Sequence, residues 1–481
     1  MDNKPFFITT AIAYANGSPH VGHAFEFVFA DTIARYKKSQ GEVYFITGMD
    51  EHGQKIEQKA REVSLPVREY VEKYADEFKK LDAELKVSYD YFVRTSDEEK
   101  HYKGAQMLWN KLNERGDLEK RSYKALYCVG CEEFKTEKDL DAEGRCPLHL
   151  KAPEVVEEEN YFFKLSNYTN KIKEKIENDE LKIYPTTRKN EILALLERGL
   201  EDVSFSRPTG KVSWGIPVPE DESQVMYVWC DALSNYITAI GYGTGSFRAD
   251  LWQNATHVIG KDILRFHAAI WPAMLMSADL PLPKNIIVHG HITSGGQKMS
   301  KTLHNVILLQ DIIDMFAPAC GELTGEAARF VFLHEVPSFE DGDMTLDSIK
   351  IAYTAHLVNG IGNLSSRIMK LASTHLGVFD IEERGFDKEF TDAFERFDVF
   401  QAARLVTGEM RKLDTFIQET EAFKVIKTDE TKGKELIKEY VILLNHIARQ
   451  LSFFMPETAR VIMNCIRETK MPEKPLFARF P

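Results

Sequence analysis

Phe6-Phe-Ile-Thr-Thr10, His20-Val-Gly-His23 and Val43-Tyr-Phe-Ile-Thr47 together decide the fold of this chain. The two outer runs are apolar and short, as buried strands are. Between them Phe25, Val28, Phe29, Thr32, Ile33 and Tyr36 recur at helical spacing, and Gly41 closes the pattern. Strand, helix, strand at these lengths predicts a right-handed crossover between parallel strands. The helix opens at the two histidines. A helix N-terminus carries unpaired N–H groups and a partial positive charge, so imidazoles there meet an anion such as a phosphate. A glycine-rich dinucleotide fingerprint is absent. A nucleotide is therefore expected on this helix, at the carboxyl ends of the parallel strands.

Working outward, the α/β pattern fills roughly residues 1–112 and then gives way to an irregular, polar, cysteine-bearing stretch over 113–225. It resumes over 226–290: residues 225–229 and 256–260 read as strands, Ile263, Phe266, His267, Ile270 and Trp271 share one helical face, and 285–289 reads as a further strand. That strand leads through Gly295-Gly296 into Lys298-Met-Ser-Lys-Thr302, where two lysines three residues apart can swing onto a pyrophosphate. A linker region spans 291–345. From about 346 to 481 the pattern is helical: Leu357, Ile361, Leu364, Ile368 and Leu371 repeat at three and four, as do Val399, Leu405, Val406, Met410, Leu413 and Ile417. An all-α bundle is expected there.

The 481 residues exceed one core and suggest two to four domains, and 43% hydrophobic with 28% charged residues is ordinary for a soluble protein. No apolar run approaches the ~20 residues of a membrane span, and the N-terminus lacks a signal-peptide pattern. Six cysteines, three clustered and three scattered, fit a reducing cytoplasm better than a disulfide framework. A net charge of −13 does not exclude a nucleic acid, which needs only a local basic face.

Cys128-Val-Gly-Cys131 and Cys146-Pro-Leu-His149 are two ligand pairs around a polar loop over about 124–155. Soft ligands two residues apart let a tight turn present both to one tetrahedral metal, with Zn–S near ~2.3 Å. Four protein ligands (Cys128, Cys131, Cys146 and His149) leave no open position, so one structural Zn2+ is expected, folding a knuckle with little apolar surface of its own.

The histidine and lysine signatures, in this order, resemble those of class I aminoacyl-tRNA synthetases. Ile8-Thr-Thr-Ala-Ile-Ala-Tyr-Ala-Asn-Gly-Ser-Pro-His20, Thr47-Gly-Met-Asp-Glu-His-Gly53, Tyr227-Val-Trp-Cys-Asp-Ala-Leu233 and Ile259-Gly-Lys-Asp-Ile263 narrow the resemblance to the methionyl-tRNA synthetases, over nearly the first 310 residues. It implies an α/β, Rossmann-like, doubly wound parallel-sheet catalytic domain, an inserted zinc-knuckle connective domain and a C-terminal helical bundle that binds the anticodon. It implies ATP with Mg2+ and L-methionine as substrates and tRNA(Met) as partner, in a cytoplasmic monomer.

By this resemblance Ile12, Tyr14, Trp229, Ala232, Leu233, Tyr236, Ile263, Phe266, His267 and Trp271 form the methionine pocket, and Asp50 anchors the ammonium group. An unbranched thioether suits such an aromatic and aliphatic slot. His20, His23, Lys298 and Lys301 are the catalytic set. Gly22, Glu26, Gly260, Asp262, His289, Met299 and Ser300 join the two lysines in binding ATP. Arg411, Asp414, Phe416 and Phe423 are the candidates for reading the anticodon. The chain departs from the family at His304, at 316–328, and at Asp414 and Phe423, where Asn and Trp are usual. Three rival readings are a cysteinyl enzyme, a small-molecule nucleotidyltransferase and a catalytically silent tRNA-binding paralogue. The first holds an early cysteine that 9–14 lacks; the second needs neither knuckle nor bundle; the intact signatures count against the third.

Overall fold

The structure, a computed structural model, describes residues 4–130, 133–135, 139–148, 150–299 and 305–480. Contacts gather the chain into two compact units, one of Met1–Ser18, Gly41–Lys79 and Tyr89–Val288, the other of Pro19–Gln40, Lys80–Ser88 and His289–Pro481.

The first unit is built on a seven-stranded sheet. Its order runs Ala13–Tyr14, Val43–Asp50, Phe6–Thr10, Ala255–Gly260, Asn285–His289, Lys182–Tyr184, with Tyr91–Arg94 beside Val43–Asp50. Phe6–Thr10 pairs in parallel with Val43–Asp50 on one side and Ala255–Gly260 on the other. Strand order therefore reverses at Phe6–Thr10, and the crevice at such a switch point is where open α/β sheets bind ligands. Ala255–Gly260 and Asn285–His289 are buried at every residue, which is why they read as unbroken apolar runs rather than alternating ones.

Several sequence expectations change here. Residues 225–229 are not one strand: Asp221–Met226 is an antiparallel strand of a separate three-stranded sheet, and Trp229 lies in the first turn of the helix Val228–Thr238. That helix is buried on nearly every face, so it lacks the polar stripe that separates a helix from a strand in sequence. Lys182–Tyr184, inside the stretch read as an insertion, pairs in parallel with Asn285–His289 and joins the main sheet. Three residues are too few to show a period. Residues 261–277 are helical but not one α-helix: a 3-10 turn, a π-helical turn Phe266–Ile270 and the α-helix Trp271–Ser277 follow one another. The insertion also holds the helices Thr169–Glu177 and Thr186–Glu197 and a long antiparallel hairpin, Leu118–Cys128 against Glu154–Phe163, at whose far end Cys128 lies.

The second unit is mainly helical, from the signature helix Val21–Lys38 to Pro456–Glu468. It is not helical to its end: 376–386 and 470–480 are irregular. Arg329, fully buried on the helix Thr324–Glu335, is its central tie. The guanidinium pairs with Asp31 of the signature helix at 2.6 Å and donates to the carbonyls of Leu85 and Phe454 at 3.1 and 2.9 Å. One turn earlier the buried Glu326 carboxylate accepts from the backbone N–H groups of Glu457 and Thr458 at 2.6 and 2.8 Å, placing negative charge at the N-terminus of Pro456–Glu468. Between these residues and Cys320, a Cβ at Gly325 would lie 1.7 Å from the Glu84 carbonyl oxygen, so only glycine permits that approach. The departures at 316–328 thus fall on a segment that packs the unit together. Among the described residues no helix is long and apolar enough to cross a membrane.

Candidate active site

Within the first unit a cavity of about 190 Å³ opens beside the ends of Phe6–Thr10 and Val43–Asp50. Ile12, Tyr14, Asp50, Trp229, Ala232, Leu233, Tyr236, Ile263 and His267 line it. Tyr14 and Asp50 are register partners in the sheet. Two further residues of the expected pocket do not line it. Phe266 stacks flat on Trp229, with ring centroids 3.6 Å apart and planes at 11°. Trp271 is fully buried in the layer behind and donates from Nε1 to His257 Nε2 at 3.3 Å. The sequence reading missed Ala11, Lys55, Gly130, Val228 and Asn235, which also line the cavity. All five sit within or two residues from the quoted motifs, Gly130 inside the first cysteine pair; proximity to them was the available signal.

The aromatic wall has its tautomers fixed by its neighbours. His267 Nδ1 lies 3.0 Å from the Ile263 carbonyl, which only accepts, so Nδ1 carries the proton. Nε2 then accepts from the Tyr236 hydroxyl at 2.7 Å. Burial holds the His267 imidazole down at about 4, so it is neutral at physiological pH and the pocket floor carries no charge there. His257 takes the indole N–H of Trp271 at Nε2, so its Nδ1–H donates to Thr9 Oγ1 at 2.8 Å, tying the wall to the first strand.

Asp50 ends its strand almost fully buried, and the Glu51-His52-Gly53 turn beyond it closes on Gly53 at φ 112°, a region glycine alone enters freely. His52 Nδ1 and His101 Nε2 donate to the two oxygens of the buried Asp231 carboxylate at 2.6 and 2.8 Å. Burial opposes ionisation of Asp231, but the two imidazoles outweigh it and hold the carboxyl below the usual range. Asp231 lies two residues after Trp229, so this network fixes the pocket helix against the turn that follows Asp50. Both motifs are visible in the sequence, but the link between them, made across elements, is not.

In the second unit His20 caps the signature helix. Gly22 N–H donates to His20 Nδ1 at 3.1 Å, His20 N–H donates to His23 Nδ1 at 3.3 Å, and the two rings stack at 3.9 Å. Both Nδ1 atoms accept, so the neutral rings carry their protons on Nε2 and both present N–H donors. Burial and the neighbouring His20 push His23 well below its usual pKa, which keeps it neutral. His289 bonds the Gly290 carbonyl through Nδ1 at 2.8 Å and the Glu26 carboxylate through Nε2 at 3.0 Å. The carbonyl can only accept, so Nδ1 carries a proton, and Nε2 faces the Glu26 carboxyl. Gly260 ends the strand Ala255–Gly260, and Asp262 is exposed in the next turn.

Gly295 and Gly296, at φ 63° and 74°, form a two-residue hairpin turn that pairs Thr293 with Lys298. Met299 follows in irregular chain. Ser300, Lys301 and His304 lie outside the described residues, as do Cys131 and His149. Of the metal ligand set, Cys128 and Cys146 are described: both are buried, at the hairpin end and in the loop where Gly144 turns at φ 74°. Two buried thiols on a strand end and a tight loop are the chemistry a soft divalent ion takes. Arg411 is exposed on Val399–Thr420, where Asp414 pairs with Arg367 at 2.6 Å and Phe416 meets Tyr440 edge-on. Phe423 follows on a separate short turn and is 44% exposed.

A parallel sheet with a switch point is common to many nucleotide-binding folds, and known proteins narrow this chain to one class among them. The family described as tRNA synthetases class I (M) matches residues 6–151 and 139–369. The methionine--tRNA ligase of Rhizobium meliloti is 37% identical over 485 residues, covering 97% of this chain and 92% of its own. That of Thermotoga maritima is 41% identical over 397 residues, covering 81% and 62%. A solved Mycobacterium tuberculosis methionyl-tRNA synthetase in complex with methionyl-adenylate matches with a TM-score of 0.88 at 30% identity, over 99% of this chain and 100% of that one. This chain belongs to the methionyl-tRNA synthetase family.

Proposed function

We propose that the protein activates L-methionine with ATP, forming methionyl-adenylate and pyrophosphate, and then transfers the methionyl group to the 3′-terminal adenosine of tRNA(Met). The observation that carries this reading is the cavity of the first unit: an aromatic and aliphatic slot with a neutral His267–Tyr236 pair and Asp50 at its edge. A thioether side chain fills such a slot through sulfur–ring contacts, and Asp50 meets the ammonium group. The methionine carboxylate attacks the α-phosphorus, the bond to the bridging oxygen breaks, and pyrophosphate departs. The nucleophile is already ionised, so no general base is needed. His20 and His23 supply Nε2–H donors, and Lys298 and Lys301 supply positive charge, to the phosphate oxygens. Gly22, Glu26, Gly260, Asp262, His289, Met299 and Ser300 complete the ATP contacts; Mg2+ accompanies ATP.

Methionine-dependent ATP–pyrophosphate exchange tests the reading. Methionine is expected to outperform leucine and isoleucine, whereas homocysteine is expected to be discriminated only weakly, because one methyl in an apolar pocket is worth ~1–3 kcal/mol. Exchange driven better by cysteine or leucine would overturn it, and no exchange at all would favour the silent paralogue.

The reading includes one structural Zn2+ held by Cys128, Cys131, Cys146 and His149, which fastens the end of the long hairpin. Protein purified without chelator is expected to carry one zinc per chain. Cys131→Ser is expected to lower metal content and soluble yield together, since ligand binding contributes folding free energy directly. Metal analysis finding no zinc in the unmodified protein would count against this part alone. The helical region binds the anticodon stem and loop in this reading, with the exposed Phe423 and Arg411 supplying stacking planes for unpaired bases beside Asp414 and Phe416. The chain works as a cytoplasmic monomer.

A further inference from the structure

We infer that His334, Glu335 and His356 form a second metal site, which takes a divalent transition ion such as Zn2+ or Co2+ through two imidazoles and a carboxylate. Among the described residues they are the one group of three ligand-type side chains whose donor atoms lie within 4.8 Å of one another. All three belong to the second unit, whereas Cys128 and Cys146 belong to the first, so this site is separate from the knuckle. Imidazole nitrogen combined with carboxylate oxygen suits Zn2+ and its borderline neighbours better than Mg2+ or Ca2+, which take oxygen ligands.

The backbone brings the ligands together at a helix end. His334 and Glu335 are the last two residues of Thr324–Glu335, where carbonyls without intrahelical partners and the helix dipole favour a cation. His356 enters from the π-helical stretch Tyr353–Gly362. The Glu335 carboxylate lies 2.7 Å from His334 Nδ1 and 3.6 Å from His356 Nε2, and the two ring centroids lie 4.0 Å apart. Two donors on one tetrahedral zinc lie about 3.3 Å apart, so the longer spacing fits and the shorter must open by roughly 0.6 Å. The Glu335 side chain is 34% exposed, which leaves the carboxylate room to turn and the ion a way in.

The protonation states fit as well. Burial opposes ionisation of Glu335, but its bonds with His334 and His356 outweigh it and hold the carboxyl down at about 2. Burial holds the His334 imidazole below its usual pKa despite the neighbouring Glu335. His334 Nε2 lies 3.1 Å from the Thr407 hydroxyl, which itself donates to the Arg404 carbonyl at 3.0 Å. A proton moved from Nδ1 to Nε2 therefore finds Thr407 Oγ1 as its acceptor, the kind of outer partner that fixes the tautomer of a metal-bound histidine. The Arg404 guanidinium adds positive charge near His334, so this ion is expected to be held more weakly than the knuckle zinc and to be lost on purification.

Co2+ is the probe, because its absorption reports the donor set. The purified protein is titrated with Co2+ as wild type, His356→Ala and Glu335→Gln. Wild type is expected to take up one Co2+ per chain with the visible bands of a nitrogen–oxygen site, no thiolate charge-transfer band and no release of zinc. Each substitution is expected to weaken that uptake by about 100-fold, at least what losing an outer partner costs. Added Zn2+ should raise the thermal midpoint of wild type and not of the variants, since an ion bound only by the folded state stabilises it. A thiolate band would place the ion at the cysteines and overturn the inference. Uptake unchanged in both variants would overturn it in favour of other histidines, and no uptake at millimolar Co2+ would reduce the group to an ion-pair cluster. Glu335→Gln, which keeps the side-chain shape, carries the test alone should His356→Ala yield no soluble protein.

Discussion

Lys301→Ala is expected to slow methionyl-adenylate formation about 100- to 1,000-fold, the usual cost of one electrostatic donor aimed at developing charge, with methionine affinity nearly unchanged. The expectation follows from when charge moves. Before reaction the β- and γ-phosphates already share their charge with Mg2+ and solvent. As the bond to the α-phosphorus breaks, charge accumulates on the departing pyrophosphate, and an ammonium that closes on it then stabilises the transition state more than the ground state. His20 and His23, held as Nε2–H donors, cannot replace it, because a neutral N–H is a weaker partner for growing negative charge than an ammonium. Rapid-quench measurement of adenylate at saturating methionine and ATP checks the result. Equal losses in methionine affinity and turnover would assign Lys301 to substrate binding instead.

Arg329→Met is expected to cost up to about 3–5 kcal/mol of stability, because it removes the buried guanidinium from a fully buried carboxylate and leaves Arg35 as its one cationic partner. Asp31 and Arg329 are both 0% exposed, so solvent does not screen the pair. Burial opposes ionisation of Asp31, but Arg329 and Arg35 outweigh it and hold the carboxyl below its usual range. A carboxyl depressed in the folded state adds stability above the unfolded value, near ~3.9, and loses it as pH falls through the depressed one. Urea midpoints of variant and wild type should therefore differ by a constant amount above about pH 5 and converge toward about pH 2. Arg329→Met with Asp31→Leu should recover much of the loss, since replacing both partners removes the stranded charge. A single variant as stable as wild type would show that the pair contributes nothing.

What the sequence made legible divides along physical lines. The strands Phe6–Thr10 and Asn285–His289 and the signature helix were readable because burial on all sides or at helical spacing leaves a pattern in the residues themselves. Trp229 was placed on a strand because a wholly buried helix, Val228–Thr238, leaves no such pattern. Lys182–Tyr184 was missed because its place in the sheet depends on a partner about a hundred residues away, and no local spacing encodes that. In the site, Asp50 and the aromatic wall came from motifs. The Asp231 link did not, because its significance lies in which side chains face one another across elements. Trp271 was assigned to the pocket for the converse reason: a motif names a neighbourhood but not the layer, and this indole lies one layer behind.

The hairpin at Gly295-Gly296 carries a mechanical consequence. Its strand Ile292–Ser294 pairs with Gly342–Asp343, and the Asp343 carboxylate accepts from both Gly296 N–H and Thr293 Oγ1 at 2.8 Å. Two residues after Asp343, Thr345 caps the helix Leu346–Ala352. The hairpin at the root of the lysine segment is thus clamped to the lead-in of that helix. A shift of that helix would be passed through the Asp343 carboxylate to the turn at Gly295-Gly296, so the second unit couples a helix cap to the hairpin that precedes Met299.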